Sequence, residues 1–302
     1  MNPPDDSDSG ASWSYEEAFA RNLGLVTAEE QQKLRASRVA IVGMGGVGGV
    51  HLETLARLGV GRFTIADPDT FGVANTNRQY GARVSTVGRS KVEVMAEIAR
   101  DINPEVELRV FKELIGPENA EEFLRDADLF IDGVDFYAID ARRLLFRTAA
   151  DRGIFGITAA PAGFGTAWIV FDPAGMSFDR YFDFSDDMDQ VDQVVALAVG
   201  VAPKAIQSQY MRLEDLDLRA RTAPCSGLAC HLACGVTAAE ALKILLRRGR
   251  IWPAPYYQHF DPYRGRYVRR HLWLGNRHPW QRVKRRMLAR YFRRSGFPGP
   301  AG

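Results

Sequence analysis

Between residues 38 and 91 the residue types and spacings suit nucleotide chemistry. Gly43, Gly45 and Gly48 fit G-x-G-x-x-G, with Gly46 beside them, directly after the apolar run 39–42. Missing side chains at such a junction let the backbone turn sharply and let phosphate oxygens approach the N–H groups of a helix start. Asp67 follows Gly48 by 19 residues, the spacing of a carboxylate that accepts hydrogen bonds from ribose hydroxyls. Asp69, then Asn75, Arg78 and Gln79 in the run NTNRQ, and finally Lys91 add polar and cationic groups that a nicotinamide slot does not require. They suit a triphosphate, whose charge needs cations as a phosphorus centre reacts and pyrophosphate leaves. Asp132 and Asp135, in FIDGVD at the end of another apolar run, offer carboxylate oxygens of the kind Mg2+ prefers. Each of these residues, taken singly, also reads as a cap or loop residue.

These side chains need a scaffold, and the hydrophobic pattern supplies one. Strands are expected near 38–43, 62–67, 106–112, 128–132 and 154–158, and helices near 46–58, 89–102, 117–125 and 138–152. That alternation predicts an α/β fold, a doubly wound, mostly parallel Rossmann-like sheet with its ligand at the strands' C-terminal ends. Residues 166–171 read as the start of an antiparallel extension. The pattern divides the chain into a disordered tail (1–12), an N-terminal helical arm (13–36), a nucleotide-binding domain (37–250), and an aromatic hairpin with a basic tail (251–302).

The stretch from 38 to 79, with its G-x-G-G-x-G turn, D-x-D, N-x-x-R-Q and the downstream Lys91, resembles the ThiF/MoeB/ubiquitin-activating (E1-like) adenylyltransferase superfamily. The wording NTNRQ and the later INPEVE is nearest to the branch containing tRNA threonylcarbamoyladenosine dehydratase. The resemblance is dense from about 21 to 163 and thin afterwards. It implies Asp67 on the ribose, Asn75, Arg78 and Lys91 on the phosphates of ATP, and Asp135 as the Mg2+ ligand. It also implies a homodimer in which an N-terminal arginine, here Arg21, reaches the neighbouring subunit's ATP. The activity it implies is ATP- and Mg2+-dependent activation of a carboxylate as an acyl-adenylate, on a ubiquitin-like or peptide C-terminus or a tRNA nucleoside. Relatives with structural zinc carry two C-x-x-C pairs. This chain has none, only Cys225, Cys230, His231 and Cys234, so zinc is not expected. Cys225, just before an expected apolar helix over 228–246, is the candidate thiol for accepting the acyl group, since a helix N-terminus lowers a thiol pKa. Cys230 and Cys234 read as core residues.

Composition bounds the rest. A hydrophobic share of 46% is that of an ordinary globular chain, and its three cysteines point to a reducing cytoplasm rather than a disulfide framework. The acidic start, MNPPDDSDSG, does not read as a targeting peptide. Twelve of the 39 basic residues, and none of the 37 acidic ones, lie after Asp261. Residues 279–294 predict a helix with Trp280, Val283, Met287, Leu288, Tyr291 and Phe292 on one apolar face and arginines elsewhere. That pattern serves for packing, an anionic membrane surface or RNA. The carboxylate-rich run 179–193 reads as a solvated loop, placed by the resemblance near the substrate channel as a lid. Two other functional readings compete: an NAD(P)- or FAD-binding oxidoreductase, and a non-catalytic nucleotide-binding adaptor.

Overall fold

The structure, a computed structural model, describes residues 13–212 and 223–297; the expected tail 1–12 lies outside them. The arm comprises a short helix α1 (Tyr15–Ala18), a 3-10 turn (Ala20–Asn22) and α2 (Ala28–Ala36). Thr27 and Glu30 cap α2 reciprocally, as their spacing requires. Then β1 (Arg38–Val42), α3 (Gly48–Arg57), β2 (Arg62–Ala66), α4 (Lys91–Ile102), β3 (Glu107–Phe111), α5 (Ala120–Phe123), β4 (Leu129–Asp132) and α6 (Ile139–Asp151) alternate. The chain continues with β5 (Phe155–Ala162), β6 (Gly165–Phe171), α7 (Phe178–Phe182), α8 (Gln190–Val201), α9 (Gly227–Leu245), β7 (Tyr256–Asp261), β8 (Arg266–His271) and α10 (Pro279–Arg294).

The strands form one sheet in the order β3-β2-β1-β4-β5-β6-β7-β8. The first five are parallel, and β6, β7 and β8 extend the sheet antiparallel. The order reverses between β1 and β4, which opens a crevice at their C-terminal ends, where Val42 pairs with Asp132. Side-chain alternation distributes each strand between two cores. Val39, Ile41, Leu129 and Ile131 pack with α3, α4 and α9, whereas Ala40 and Phe130 pack with α5, α6, α7 and α8. Parallel strands buried on both faces explain the unbroken apolar runs in the sequence.

The 19-residue α9 is long and apolar enough to cross a bilayer, but it packs on α3, β5 and β6. Alanine and cysteine on its inner side permit that close approach: Ala229, Cys230, Ala233, Cys234 and Ala241 are almost fully buried. The carboxylate-rich run is a correction to the loop reading. Its two ends are helical, in α7 and the start of α8, with a turn over 183–189 between them, and five of its six acids pair with arginines. Arg143 bonds Asp179 at 3.0 Å and Asp186 at 2.6 Å, Arg285 bonds Asp183 at 2.8 Å, and Arg293 bonds Asp189 at 2.7 Å. Helix α10 is a second correction. It packs on α8 through Gln281, Leu288, Ala289 and Phe292, and leaves Trp280, Val283 and Met287 exposed. The expected apolar face is therefore split. Asp183, Asp189 and Asp192 pair with Arg285 and Arg293 on one flank of the helix, and half of its apolar stripe points to solvent.

Candidate active site

The glycine turn is fixed by contacts only glycine permits. Gly43 has φ +82°, and a Cβ there would lie 2.2 Å from the Gly133 carbonyl oxygen. A Cβ on Gly48 would lie 1.7 Å from the Gly43 oxygen. These approaches bring the start of α3 against the end of β4. Gly45 and Gly46 face the NTNRQ loop instead: a Cβ on Gly45 would meet Gln79 Nε2 at 3.4 Å, and one on Gly46 would meet Cys230 Sγ at 3.1 Å. The turn, the loop and the start of α9 thus share one wall.

Asp67, at the end of β2, is buried and accepts from Met44 N–H at 2.6 Å and Asp69 N–H at 2.8 Å. Burial pushes its pKa up, against the pull of those two N–H groups and Lys91. The carboxylate therefore ties strand β2 to the glycine turn, with further lone pairs for hydroxyl donors. Lys91 opens α4, is 7% exposed, and reaches Asp69 Oδ2 at 2.9 Å. Asn75 Oδ1 accepts from Gly72 N–H at 2.9 Å, which leaves its amide NH2 to donate outward. The Arg78 guanidinium donates to Ala74 O at 3.0 Å and Asn77 Oδ1 at 2.9 Å, held by its own loop. Gln79 is buried, and its Oε1 has no partner among the described residues.

Two acids end β4 with different fates. Asp132 is buried and saturated, accepting from Arg142 Nε at 2.7 Å, Thr158 Oγ1 at 2.8 Å and Val134 N–H at 3.1 Å. Asp135 is exposed and accepts only from Tyr137 N–H, at 2.9 Å, among the described residues. Its free oxygen is the kind of hard donor that Mg2+ takes together with phosphate oxygens. No group of three or more His, Cys, Asp or Glu is arranged for a metal among the described residues; a cation shared with phosphates needs fewer protein ligands.

Cys225 lies beside the loop, since Asn77 Nδ2 donates to its carbonyl at 2.8 Å and Gly227 N–H donates to Asn77 O at 3.1 Å. Its Sγ is 3.6 Å from Cys230 Sγ. The Cys230 thiol, with Arg78 and the Ser226 N–H, holds Cys225 below the usual thiol range despite burial, and Cys230 is pushed up in consequence. Cys234 Sγ turns to Val47 O at 3.3 Å, and His231 meets the Tyr80 hydroxyl. Arg21 is exposed at the far end of α3, next to Asn22, which bonds Leu58 O at 3.2 Å. Ten helical residues, about 15 Å, separate it from this chain's own glycine turn. Sequence reasoning missed Asn77, Arg142 and Tyr80. Asn77 sits inside the quoted loop, while the other two lie in no motif.

Fold and site together define a doubly wound nucleotide-binding domain with a cationic loop over its glycine turn. The chain belongs to the ThiF family, whose model matches residues 19–283. It is 39% identical over 123 residues to tRNA threonylcarbamoyladenosine dehydratase of Haemophilus influenzae, covering 40% of this chain and 47% of that protein. It is 36% identical over 122 residues to the probable adenylyltransferase/sulfurtransferase MoeZ of Mycobacterium tuberculosis, 40% of this chain and 31% of the relative. These alignments span less than half the length of the relatives. Among solved structures, PaaA superposes with TM-score 0.64 at 20% identity, over 89% of this chain and 78% of PaaA. Escherichia coli TcdA in complex with ATP superposes with TM-score 0.58 at 22% identity, over 79% of this chain and 99% of TcdA.

Proposed function

We propose that the chain is an ATP-dependent adenylyltransferase that activates a carboxylate as its acyl-adenylate. The observation that carries this reading is placement: the glycine turn, then Asp67, Arg78 and Lys91, then Asp135 lie in the segments that follow the C-terminal ends of β1, β2 and β4, which are neighbours in the sheet. A substrate carboxylate oxygen attacks the α-phosphorus, the bond to the pyrophosphate oxygen breaks, and pyrophosphate leaves. No general base is needed, because a carboxylate is ionised at neutral pH. Catalysis then rests on positioning and on charge neutralisation.

Arg78 and Lys91 offset the charge gathering on the phosphates, and Asp67 orients the ribose. The buried Gln79 Oε1, otherwise without a partner, accepts from a nucleotide or a water at the glycine turn. Asp135 would hold Mg2+, which would supply further neutralisation of phosphate charge. The substrate is a peptide or small-protein C-terminus or a carboxylate-bearing tRNA nucleoside; tRNA appears in the names of two of the similar proteins. We place the enzyme in the cytoplasm as a homodimer, which would let Arg21 act on the neighbouring subunit's nucleotide. On this reading the Cys225 thiolate attacks the acyl carbon of the adenylate, forming a thioester as AMP leaves.

ATP–pyrophosphate exchange with candidate carboxylates tests this reading. Exchange by the native chain that falls at least tenfold in Asp135→Ala supports it. Exchange undiminished by that change removes Asp135 from the mechanism, and absence of exchange with every carboxylate rejects the reading.

A further inference from the structure

Helix α10 turns an apolar stripe and a row of arginines outward. Trp280, Val283 and Met287, on successive turns, are 70%, 44% and 65% exposed, although they are among the most apolar residues of the helix. Arg282, Arg286 and Arg290 run alongside them at four-residue spacing, exposed and without a hydrogen bond or ion pair among the described residues. The nearby acids already have partners: Asp183 is held by Arg277 and Arg285, and Asp189 and Asp192 by Arg293. No acid occurs in the sequence after Asp261 to offset the ladder. Together with Arg285, Arg293, Asp183 and Asp192, the three arginines wall an open cavity of about 440 Å³ on the flank of the helix.

We infer that this face of α10 docks on an anionic lipid bilayer, lying in the plane of the interface. A helix with an apolar stripe and a cationic flank enters the headgroup region on its apolar side while arginines reach phosphates from their long stems. The 16 residues of α10, about 24 Å, present that surface along one line. A nucleic-acid backbone would satisfy the arginines but leave Trp280, Val283 and Met287 in water. A second copy of the same face would set arginine against arginine. Of these occupants only a bilayer answers both the charge and the apolar stripe. The inference is independent of the adenylation chemistry, because the catalytic wall is at the strands' ends and the docking face is on α10.

Flotation of the full chain with vesicles of pure phosphatidylcholine, or with one third phosphatidylglycerol, tests it. The native chain is expected to float with the anionic vesicles and not with the neutral ones. Replacing Arg282, Arg286 and Arg290 together by Gln should lower the partition about a hundredfold, at roughly fivefold for each arginine brought to the surface. Met287→Glu, at an exposed position and with its fold checked by circular dichroism, should abolish flotation. Equal recovery of native and both variant chains, or of neutral and anionic vesicles, overturns the inference. So does retention on a single-stranded RNA, or self-association lost in Met287→Glu, with no flotation in either case.

Discussion

At the scale of single residues, the site separates side chains that hold the scaffold from those left available. Asp132 illustrates the first kind: three donors saturate it, so Asp132→Asn should cost stability more than chemistry. Asp135, three residues on, keeps an open oxygen. On the proposed reading each removes charge offset at the reacting phosphates, so Arg78→Ala and Lys91→Ala should each lower pyrophosphate exchange by about 100- to 1000-fold with little change in the denaturation midpoint. Gly48→Ala should instead unfold the chain at lower urea, by more than about 2 kcal/mol, since a Cβ has no space against the Gly43 carbonyl. Cys225 adds a third test. Its pKa is lowered by the Cys230 thiol and Arg78, so its alkylation should reach half its maximal rate at a lower pH than an ordinary thiol does. Arg78→Ala should move that midpoint upward; a profile unmoved by the change would leave Arg78 no part in it. Periodicity and spacing placed these residues in the correct elements. Which acid is saturated and which is open was not legible, because Arg142 and Thr158 reach Asp132 from other elements.

At the scale of elements, the misread parts were those whose partners are remote in sequence. A run of carboxylates is locally indistinguishable from a solvated loop, and an arginine-rich helix has several apolar faces to choose from. The fold resolves both by setting one against the other. Arg143, only 5% exposed, is held between Asp179 and Asp186, and the Arg143 guanidinium keeps the Asp186 carboxyl below the usual carboxylate range. The depressed folded-state pKa means that the contribution is present above the unfolded value, near 4, and is lost as pH falls through the folded one. Asp186 is well exposed, so solvent screening keeps that contribution small. Arg143→Leu should therefore destabilise the chain at pH 7 and by less at pH 3, measured by urea midpoints; an equal loss at both pH values would assign the effect to packing alone.

At the scale of the whole molecule, the sheet's topological switch between β1 and β4 decides where a nucleotide can sit, and ligand binding there must report on global stability. ATP at a hundred times its dissociation constant should stabilise the fold by about 2.7 kcal/mol, a shift of several degrees in Tm. NADH at the same concentration should leave Tm unchanged; a larger shift with NADH would favour the oxidoreductase alternative.

The amino-acid sequence by itself determined the alternation of strand and helix, the antiparallel extension, the glycine turn and the polar set beside it. Those features are local: period, glycine placement and fixed spacing act within one strand–helix–strand unit. Only the tertiary structure decided that Cys225 and Asn77 share a wall with the glycine turn, that Asp132 is spent while Asp135 is open, and that α10 shows its apolar stripe to solvent. Each of those outcomes is set by contacts between residues far apart in the chain, where one element's charge or small side chains select which face of another is buried.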